Sequence, residues 1–484
     1  MPEAINSLSY AIRPGTVIKH LGQMFIMVAM LTLVPLVVSI GFGEYHLTSR
    51  YLIIVLLLFL AGFFSSRIEH VGDLQINEAL TITALTFVIT PLLMSYPLMG
   101  SGLTFIDAWF EATSAVTTTG LSTLTDLEAM PKTFLFTRAW MQWYGGLGII
   151  ILWVALLMGH HQEIKRLVGT ASDNIMTTTR HYARRMLIIY SVLTLVGIVL
   201  LWLVLKDLFL AITYCLAAVS TGGFSPLNHS LVDIPAWTGR YVIILLGFFS
   251  ALPLVIYYRM IRENRLAVWR DPEARLLVAM TLFISALLWW TIHTDLDLSW
   301  ADALGHAVLL GISAQSTTGF TSLEISHLGS DAMVVLIIAM ITGGGAGSTA
   351  GGIKLLRLII MARLIQFMLQ RSAMPSHAVS EPRIGDRQLV SDEIKHALLL
   401  VILFMMVVVV SWFIFLRFDY PPMATLFEVT SATGTVGLSS GITSSDLEPA
   451  LKMTLGIDML LGRLEIIALL ILLYPPTWIG KRKE

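Results

Sequence analysis

Thr118-Thr119-Gly120-Leu121-Ser122 decides the fold of this chain, because the same pattern occurs four times in its 484 residues. The pattern is Thr-x-Gly, followed by Leu or Phe and then by Ser or Thr. The other copies are Thr221-Gly222-Gly223-Phe224-Ser225, Thr317-Thr318-Gly319-Phe320-Thr321 and Thr435-Val436-Gly437-Leu438-Ser439. We call these the four glycine segments. Their central glycines are separated by 103, 96 and 118 residues, and a pattern that returns in this way predicts four structural repeats.

The composition is that of a membrane protein. Hydrophobic residues make up 56% of the chain and charged residues 13%, with a mean hydropathy of +0.78, whereas a soluble chain needs far more surface charge. The 31 basic and 32 acidic residues nearly cancel, which gives no electrostatic case for a nucleic-acid partner. Cys215 is the one cysteine, which excludes an intrachain disulfide and a thiolate metal cluster.

Ten apolar runs have about the length needed to cross a bilayer, roughly 17–25 residues. They are Leu21–Gly43, Tyr51–Ser65, Glu78–Met99, Phe134–His160, Met186–Leu205, Thr238–Met260, Leu276–Thr294, Asp331–Leu369, Ile394–Phe418 and Lys452–Tyr474. The first run is too long for a signal peptide and further spans follow it, so we interpret it as a membrane anchor. The sequence therefore predicts an all-α, polytopic membrane protein.

Positive charge is concentrated in alternate loops, which predicts the orientation of the spans. One loop carries Lys165, Arg166, Arg180, Arg184 and Arg185, and the next carries Arg259, Arg262, Arg265, Arg270 and Arg275. A third basic stretch extends from Lys354 to Lys395, and the tail ends in Lys481-Arg482-Lys483, whereas the stretch from Asp295 to Asp331 has no Lys or Arg. Because basic loops remain in the cytoplasm, we expect both termini there.

A short apolar segment that is too brief to cross the membrane precedes each glycine segment. The four are Phe105–Val116, Leu208–Val219, Ala301–Ala314 and Met423–Ala432. Segments of about 10–14 residues are typical of re-entrant half-helices, and each lies on the acidic, outer side of the membrane. A half-helix that enters from outside directs the partly negative C-terminal end of its dipole at the bilayer midplane. This arrangement favours a cation at the midplane.

Each glycine segment must then return outward as non-helical backbone, which is tolerated at membrane depth only inside protein or along a watery path. Glycine permits the necessary conformations, and four such segments around one axis would stack rings of carbonyl oxygens that replace the hydration shell of a cation. The leading threonines would add a ring of hydroxyls. Close helix packing by Thr and Gly is the alternative. The candidate filter residues are Thr118, Thr119, Gly120, Thr221, Gly222, Gly223, Thr317, Thr318, Gly319, Thr435, Val436 and Gly437.

The predicted architecture is a set of four pseudo-symmetric units around one pore, preceded by two extra N-terminal spans. Each unit consists of a span, a half-helix, a glycine segment and a second span. The expected boundaries are residues 1–77 for the two-span region, then 78–160, 161–260, 261–372 and 373–484 for the four units, the last including the C-terminal tail.

At these residues the chain resembles the Trk/Ktr/HKT superfamily of potassium transporters. The resemblance extends from about Glu78 to Tyr474, and the two extra N-terminal spans make it most similar to the bacterial TrkH type. In that superfamily a glycine at the central filter position of every unit goes with potassium selectivity, whereas a serine in the first unit goes with sodium permeation. All four positions are glycine here. Thr435-Val436-Gly437 also resembles the potassium-channel filter, which has a Tyr where this chain has Leu438.

The eighth apolar run is interrupted by the stretch from Gly343 to Gly352, which we call the glycine loop. Glycine costs ~1 kcal/mol per helical position relative to alanine, so six glycines within ten residues break the helix. The loop superficially fits a dinucleotide-binding fingerprint, but no βαβ unit surrounds it. The resemblance implies a gate beneath the filter, and a passive packing kink is the alternative. The candidate gate glycines are Gly343, Gly344, Gly345, Gly347, Gly351 and Gly352.

Arg463 lies in the middle of the last apolar run, where a charge costs ~2.5–3.5 kcal/mol and therefore usually faces a cavity or a partner. The neighbouring Glu465 falls on a different helix face. The resemblance implies that Arg463 stands beside the conduction path as an electrostatic barrier to cations. An ion pair with another helix is the alternative.

Six outer acids are expected either to concentrate cations at the mouth of the path or to cap helices. They are Asp107, Glu111, Asp126, Asp302, Glu324 and Glu428.

The expected function is that of a potassium-conducting subunit of an uptake system, with K⁺ as cargo, no organic cofactor and no enzymatic activity. A proton- or sodium-coupled symporter and a sodium-permeable relative are alternatives on the same scaffold. A membrane-embedded enzyme is another, but the sequence has no convergent nucleophile, base or metal set. The resemblance further implies a homodimer in the lipid of a bacterial inner membrane, and a cytosolic nucleotide-binding regulatory subunit of the TrkA or KtrA type that docks on the basic loops.

Overall fold

The computed structural model describes residues 11–68, 74–158, 175–262, 267–375, 381–384 and 387–480, and this part of the chain is almost entirely helical. The helices of the first half are α1 Pro14–Gly41, α2 Tyr45–Ser66, α3 Ile76–Leu98, α4 Phe105–Val116, α5 Lys132–Met158, α6 Ile175–Leu205, α7 Leu208–Val219, α8 Trp237–Ser250 and α9 Leu254–Arg262. Parts of the first and second basic loops, and the basic tail, lie outside the described residues.

The second half continues in the same way. Its helices are α10 Ala267–Arg270, α11 Pro272–Leu296, α12 Trp300–Gln315, α13 Ser330–Thr342, α14 Leu355–Ser372, α15 Ser391–Leu416, α16 Pro422–Thr433, α17 Pro449–Arg463, α18 Ile467–Leu473 and α19 Pro475–Trp478. Two short strands, β1 Arg383–Ile384 and β2 Arg387–Gln388, pair antiparallel between α14 and α15. Single 3₁₀ turns lie at Met99–Ser101 and Ile325–His327.

Six of the described helices are long and apolar enough to cross a membrane, namely α1, α2, α3, α6, α11 and α15. The bent pair formed by α8 and α9 would make a seventh span. The prediction of an all-α membrane protein is therefore confirmed. Of the ten predicted spans, six meet this criterion within the described residues, or seven when the bent pair is included.

Three of the predicted runs are not single straight helices. The sixth, Thr238–Met260, was expected to be continuous, but α8 and α9 meet at 86°. Pro253 lies in the break, where its ring and its missing N–H prevent a continuous helix. The eighth run divides at the glycine loop, as its composition predicted. The last run divides after Arg463, where Glu465 and Ile466 both adopt positive φ angles, 51° and 62°.

The four half-helices α4, α7, α12 and α16 form the centre of the fold. Their predicted bounds hold for α4 and α7, while α12 and α16 extend one residue further at each end. Side-chain caps begin three of them: Thr104 accepts from the amide of Asp107, Asp207 from Leu210, and Ser299 from Asp302. Such caps satisfy otherwise unpaired amides. The later turns of all four are buried, so each half-helix ends inside protein.

Candidate ion-binding site

All four half-helices end in the same strained backbone. The leading threonines have φ angles of 54°, 53°, 53° and 49° at Thr118, Thr221, Thr317 and Thr435. A β-branched residue in this left-handed region is a genuine outlier, and holding it there costs about 1–3 kcal/mol. The amide that follows each threonine turns back to the half-helix; Thr119 N, for example, donates to Ser114 O at 2.9 Å. The same strain at four corresponding positions is typical of a functional constraint.

The four glycine segments meet one another in a closed cycle. The central glycines, Gly120, Gly223, Gly319 and Gly437, also have positive φ, from 76° to 98°. A Cβ on Gly120 would lie 2.2 Å from the carbonyl oxygen of Gly222 in the second segment. The corresponding distances are 2.3 Å from Gly223 to Thr318 O, 2.0 Å from Gly319 to Val436 O, and 2.1 Å from Gly437 back to Thr119 O. The structure therefore brings all twelve candidate filter residues together, and no side chain fits at the central positions.

All four leading threonines are buried, and Thr221, Thr317 and Thr435 lie against the glycine loop. The hydroxyl of Thr317 accepts a hydrogen bond from the amide of Gly351 at 2.7 Å, and Thr221 Oγ1 lies 3.4 Å from Thr349 Oγ1. The hydroxyls of Thr118 and Thr435 have no hydrogen-bond partner within the described part of the chain. Two polar oxygens are thus left available at the inner end of the cycle.

Gln142 is a site residue that the sequence analysis missed. From α5 of the first unit, its amide nitrogen donates to the carbonyl of Gly222 and its oxygen accepts from Phe224 N at 3.2 Å. Gln142 therefore binds the residues immediately before and after the central Gly223. The repeated pattern gave no signal for it, because the contact crosses from one unit to the next.

The glycine loop packs directly beneath the cycle. Gly352 N donates to Gly434 O at 3.0 Å, and a Cβ on Gly351 would lie 2.1 Å from the same oxygen. On its other side the loop contacts the bend between α8 and α9, where Gly345 N donates to Ala251 O at 2.9 Å. Glu273, at the start of α11, accepts from Ala346 N at 2.6 Å. The bend that the sequence did not predict therefore makes room for the loop.

Arg463 reaches this loop from the end of α17. Its two terminal nitrogens donate to the carbonyl oxygens of Thr349 at 2.8 Å and Gly145 at 2.9 Å, and its side chain is 2% exposed. Among the described residues, no carboxylate lies within ion-pair distance of it. The guanidinium thus joins the loop to α5 of the first unit and leaves a positive charge beneath the cycle.

Glu465 pairs with a different arginine. It forms an ion pair with Arg357, near the start of α14, and the same arginine donates to Ile353 O at 3.0 Å. This contact fixes the break after Arg463 to the helix that follows the glycine loop.

The six outer acids serve different purposes. Glu111 and Glu428 are fully buried, and Asp107 forms an ion pair with Lys452 at 2.6 Å. The carboxylate of Asp302 accepts from Ser299 Oγ at 2.7 Å, and that of Asp126 accepts from Ala129 N at 3.2 Å. Glu324 is exposed and lies 3.4 Å from His327. The expectation of a simple cation-collecting surface therefore does not hold for Asp107, Glu111 and Glu428.

Comparison with known proteins finds matches in one family of cation transport proteins. The chain matches the family model "TrkH: Cation transport protein" over residues 49–476. The Trk system potassium uptake protein TrkH of Escherichia coli K12 is 29% identical over 422 residues, which cover 84% of this chain and 87% of that protein. The protein of the same description from Halomonas elongata is 30% identical over 434 residues, with the same coverage.

Two further matches cover nearly the whole chain. An uncharacterized cation transporter of Methanocaldococcus jannaschii is 27% identical over 464 residues, which are 94% of each chain. The crystal structure of the potassium transporter TrkH from Vibrio parahaemolyticus superposes with a TM-score of 0.84 at 24% identity, covering 97% of this chain and 100% of that one. At this identity the superposition shows the shared fold.

Proposed function

This chain belongs to the TrkH family of cation transport proteins, and we propose that it is the potassium-conducting subunit of a Trk-type uptake system. Its relatives are transporters, so the alternative of a membrane-embedded enzyme is set aside. In this proposal K⁺ is the cargo and the four glycine segments form the selectivity filter.

The cyclic contact between the glycine segments carries the proposal. Each central glycine touches a carbonyl of the next segment, and the fourth touches the first, which is the arrangement that rings of carbonyl oxygens around an ion require. The same contacts support the proposed four-unit organisation, with the boundaries expected from the sequence. The hydroxyls of Thr118 and Thr435, which have no partner among the described residues, would add oxygens at the inner end.

The glycine loop and Arg463 act together as the gate in this proposal. The loop binds the hydroxyl of Thr317 and the carbonyl of Gly434 from below, and Arg463 binds the loop through Thr349. A positive charge at this position opposes cation passage. Movement of the loop away from the filter would open the path and take Thr349 away from the guanidinium.

Membership of the family supports a proposal for the setting of the protein. We place the chain in the bacterial inner membrane with both termini in the cytoplasm, as a homodimer in lipid. A cytosolic nucleotide-binding subunit of the TrkA or KtrA type would dock on the basic loops, in keeping with relatives that belong to a potassium uptake system.

Flux into liposomes tests the proposed function. We expect purified protein to carry K⁺ far faster than Na⁺, with a K⁺ flux that follows the membrane potential alone. Imposed proton and sodium gradients should leave this flux unchanged at a fixed potential. A flux that depends on either gradient would favour the coupled symporter, and equal K⁺ and Na⁺ fluxes would contradict the filter assignment.

Shortening the glycine loop tests the gate. Removal of Gly345–Gly347 takes away the amides that bind Ala251 and Glu273, so the loop should no longer fill the space below the filter. We expect K⁺ flux to rise severalfold in liposomes while selectivity is retained. If the variant remains monodisperse and its flux equals that of the wild type, the loop is a packing kink.

A further inference from the structure

Residues nine positions before the central glycines reach back to the outer ends of the glycine segments. In the first unit, Glu111 Oε1 accepts from Ser122 Oγ at 2.7 Å and from Thr123 N at 2.9 Å. In the fourth unit, Glu428 Oε1 accepts from Ser439 Oγ at 2.8 Å and Oε2 accepts from Ser440 N at 2.8 Å. Both carboxylates therefore bind the hydroxyl two residues after the glycine and the amide that follows it.

In the other two units a different residue type occupies the corresponding position. In the second unit, Tyr214 occupies it, and its hydroxyl lies 2.9 Å from Ser225 Oγ. In the third unit it is Leu310, and the outer end is held instead from the second unit, where Ser230 Oγ accepts from Thr321 N at 3.2 Å. The outer end of every glycine segment therefore accepts or donates a side-chain hydrogen bond, but a carboxylate makes this bond only in the first and fourth segments.

The two carboxylates differ in charge balance. Glu111 Oε2 lies 2.9 Å from Nε of Arg138, whose guanidinium also stacks 3.8 Å from the ring of Phe224. Glu428 has no Lys, Arg or His within ion-pair distance in the part of the chain that the structure describes. Its negative charge is therefore not balanced by a basic side chain, although it is as fully buried as Glu111.

Hydrogen bonds alone hold Glu428. Besides Ser439 Oγ and Ser440 N, the hydroxyl of Thr443 donates to it. Ser440 Oγ lies 2.9 Å from Oε2 and 3.0 Å from Ala424 O, so its single proton is shared between two acceptors. Donor groups surround both oxygens, which suits an ionised carboxylate because that group only accepts. A buried charge needs such bonds to be tolerated. A nearby cation would stabilise it further, since electrostatic attraction is strong in a buried setting.

We propose that Glu428 determines ion specificity in the filter, by positioning Ser439 and by supplying a fixed negative charge beside the ion path. Glu111, which Arg138 balances, positions the first segment without adding net charge. This inference rests on the proposed function and assigns the outer end of the filter a role that the glycines alone do not explain.

The charge and the positioning are tested by two different variants. Glu428→Gln removes the charge and turns an amide group toward hydroxyl donors, so the half-saturating K⁺ concentration for flux into liposomes should rise about tenfold and the K⁺/Na⁺ permeability ratio should fall. Ser439→Ala keeps the carboxylate but removes the positioned hydroxyl, so it should lower the ratio with little change in half-saturation.

Asp458→Asn is the matched control. Asp458 lies in the same unit, is 2% exposed, and accepts from Ser411 Oγ at 2.7 Å without contacting the glycine segments. We expect its half-saturation and permeability ratio to equal those of the wild type. Wild-type values for both E428Q and S439A would overturn the inference, as would equal losses in D458N and E428Q. If E428Q does not fold, the permeability ratio of S439A decides. A wild-type protein without K⁺ preference would instead overturn the proposed function.

Discussion

Gly120→Ser is expected to lower the K⁺/Na⁺ permeability ratio about tenfold or more, which corresponds to a loss of about 1.4 kcal/mol or more of discrimination. Gly120 has a φ of 98°, and a Cβ there would lie 2.2 Å from the carbonyl oxygen of Gly222. The serine must therefore push the second segment away, and the ring of oxygens widens or loses a member. A distorted ring discriminates less well between ions that differ in radius and hydration.

The ratio is measured from reversal potentials in planar bilayers or from paired K⁺ and Na⁺ fluxes into liposomes. Gly102→Ser is the matched control, because Gly102 also has a positive φ, 94°, but lies before α4, where an added Cβ would have no heavy atom within 4 Å. We expect this control to keep the wild-type ratio. An unchanged ratio in a correctly folded Gly120→Ser variant would contradict the filter assignment.

Arg463→Ala is expected to raise K⁺ flux about tenfold or more. A unit charge several ångström from the ion path, at an effective dielectric constant near 20, opposes a cation by about 2–4 kcal/mol, and each 1.36 kcal/mol corresponds to a factor of ten in rate. The change also releases the carbonyl of Thr349 and with it the glycine loop. The loss of the positive charge and the release of the loop both favour the passage of cations.

Arg463→Lys separates the two effects. Lysine keeps the charge, but as a compact ammonium it cannot reproduce the fixed fork that reaches Thr349 and Gly145 together. Low flux in the lysine variant would identify the charge as the barrier, and high flux would identify the anchoring of the loop. A fall in flux together with loss of a monodisperse protein in Arg463→Ala would contradict both and assign a structural role.

Local sequence pattern was enough to predict the parts of the site that repeat. The four copies of Thr-x-Gly located the glycine segments, and the length of the apolar stretch before each gave the half-helices to within a residue. This works because strained turns at membrane depth need glycine and short helices. The break at the glycine loop was predicted for the same reason, since six glycines oppose a helix.

Contacts between residues that are far apart in the sequence could not be predicted from the same pattern. Gln142 binds the second segment from the first unit, and Glu273 binds the glycine loop from α11. Both are single polar residues in helices, without a repeat to mark them. The bend at Pro253 was also missed. The run Thr238–Met260 is apolar throughout, and its composition was interpreted as one continuous span although it contains a proline. Glu111 and Glu428 were noticed as outer acids, but burial and hydrogen bonding, which only three-dimensional packing fixes, changed their interpretation.

The most direct test of the central claim is the location of a K⁺ analogue in crystals of this protein. Thallium or rubidium ions should give anomalous density between the four glycine segments, within coordination distance of carbonyl oxygens from each of them. Density confined to other parts of the molecule, with the space between Gly120, Gly223, Gly319 and Gly437 empty at saturating ion concentration, would contradict the account.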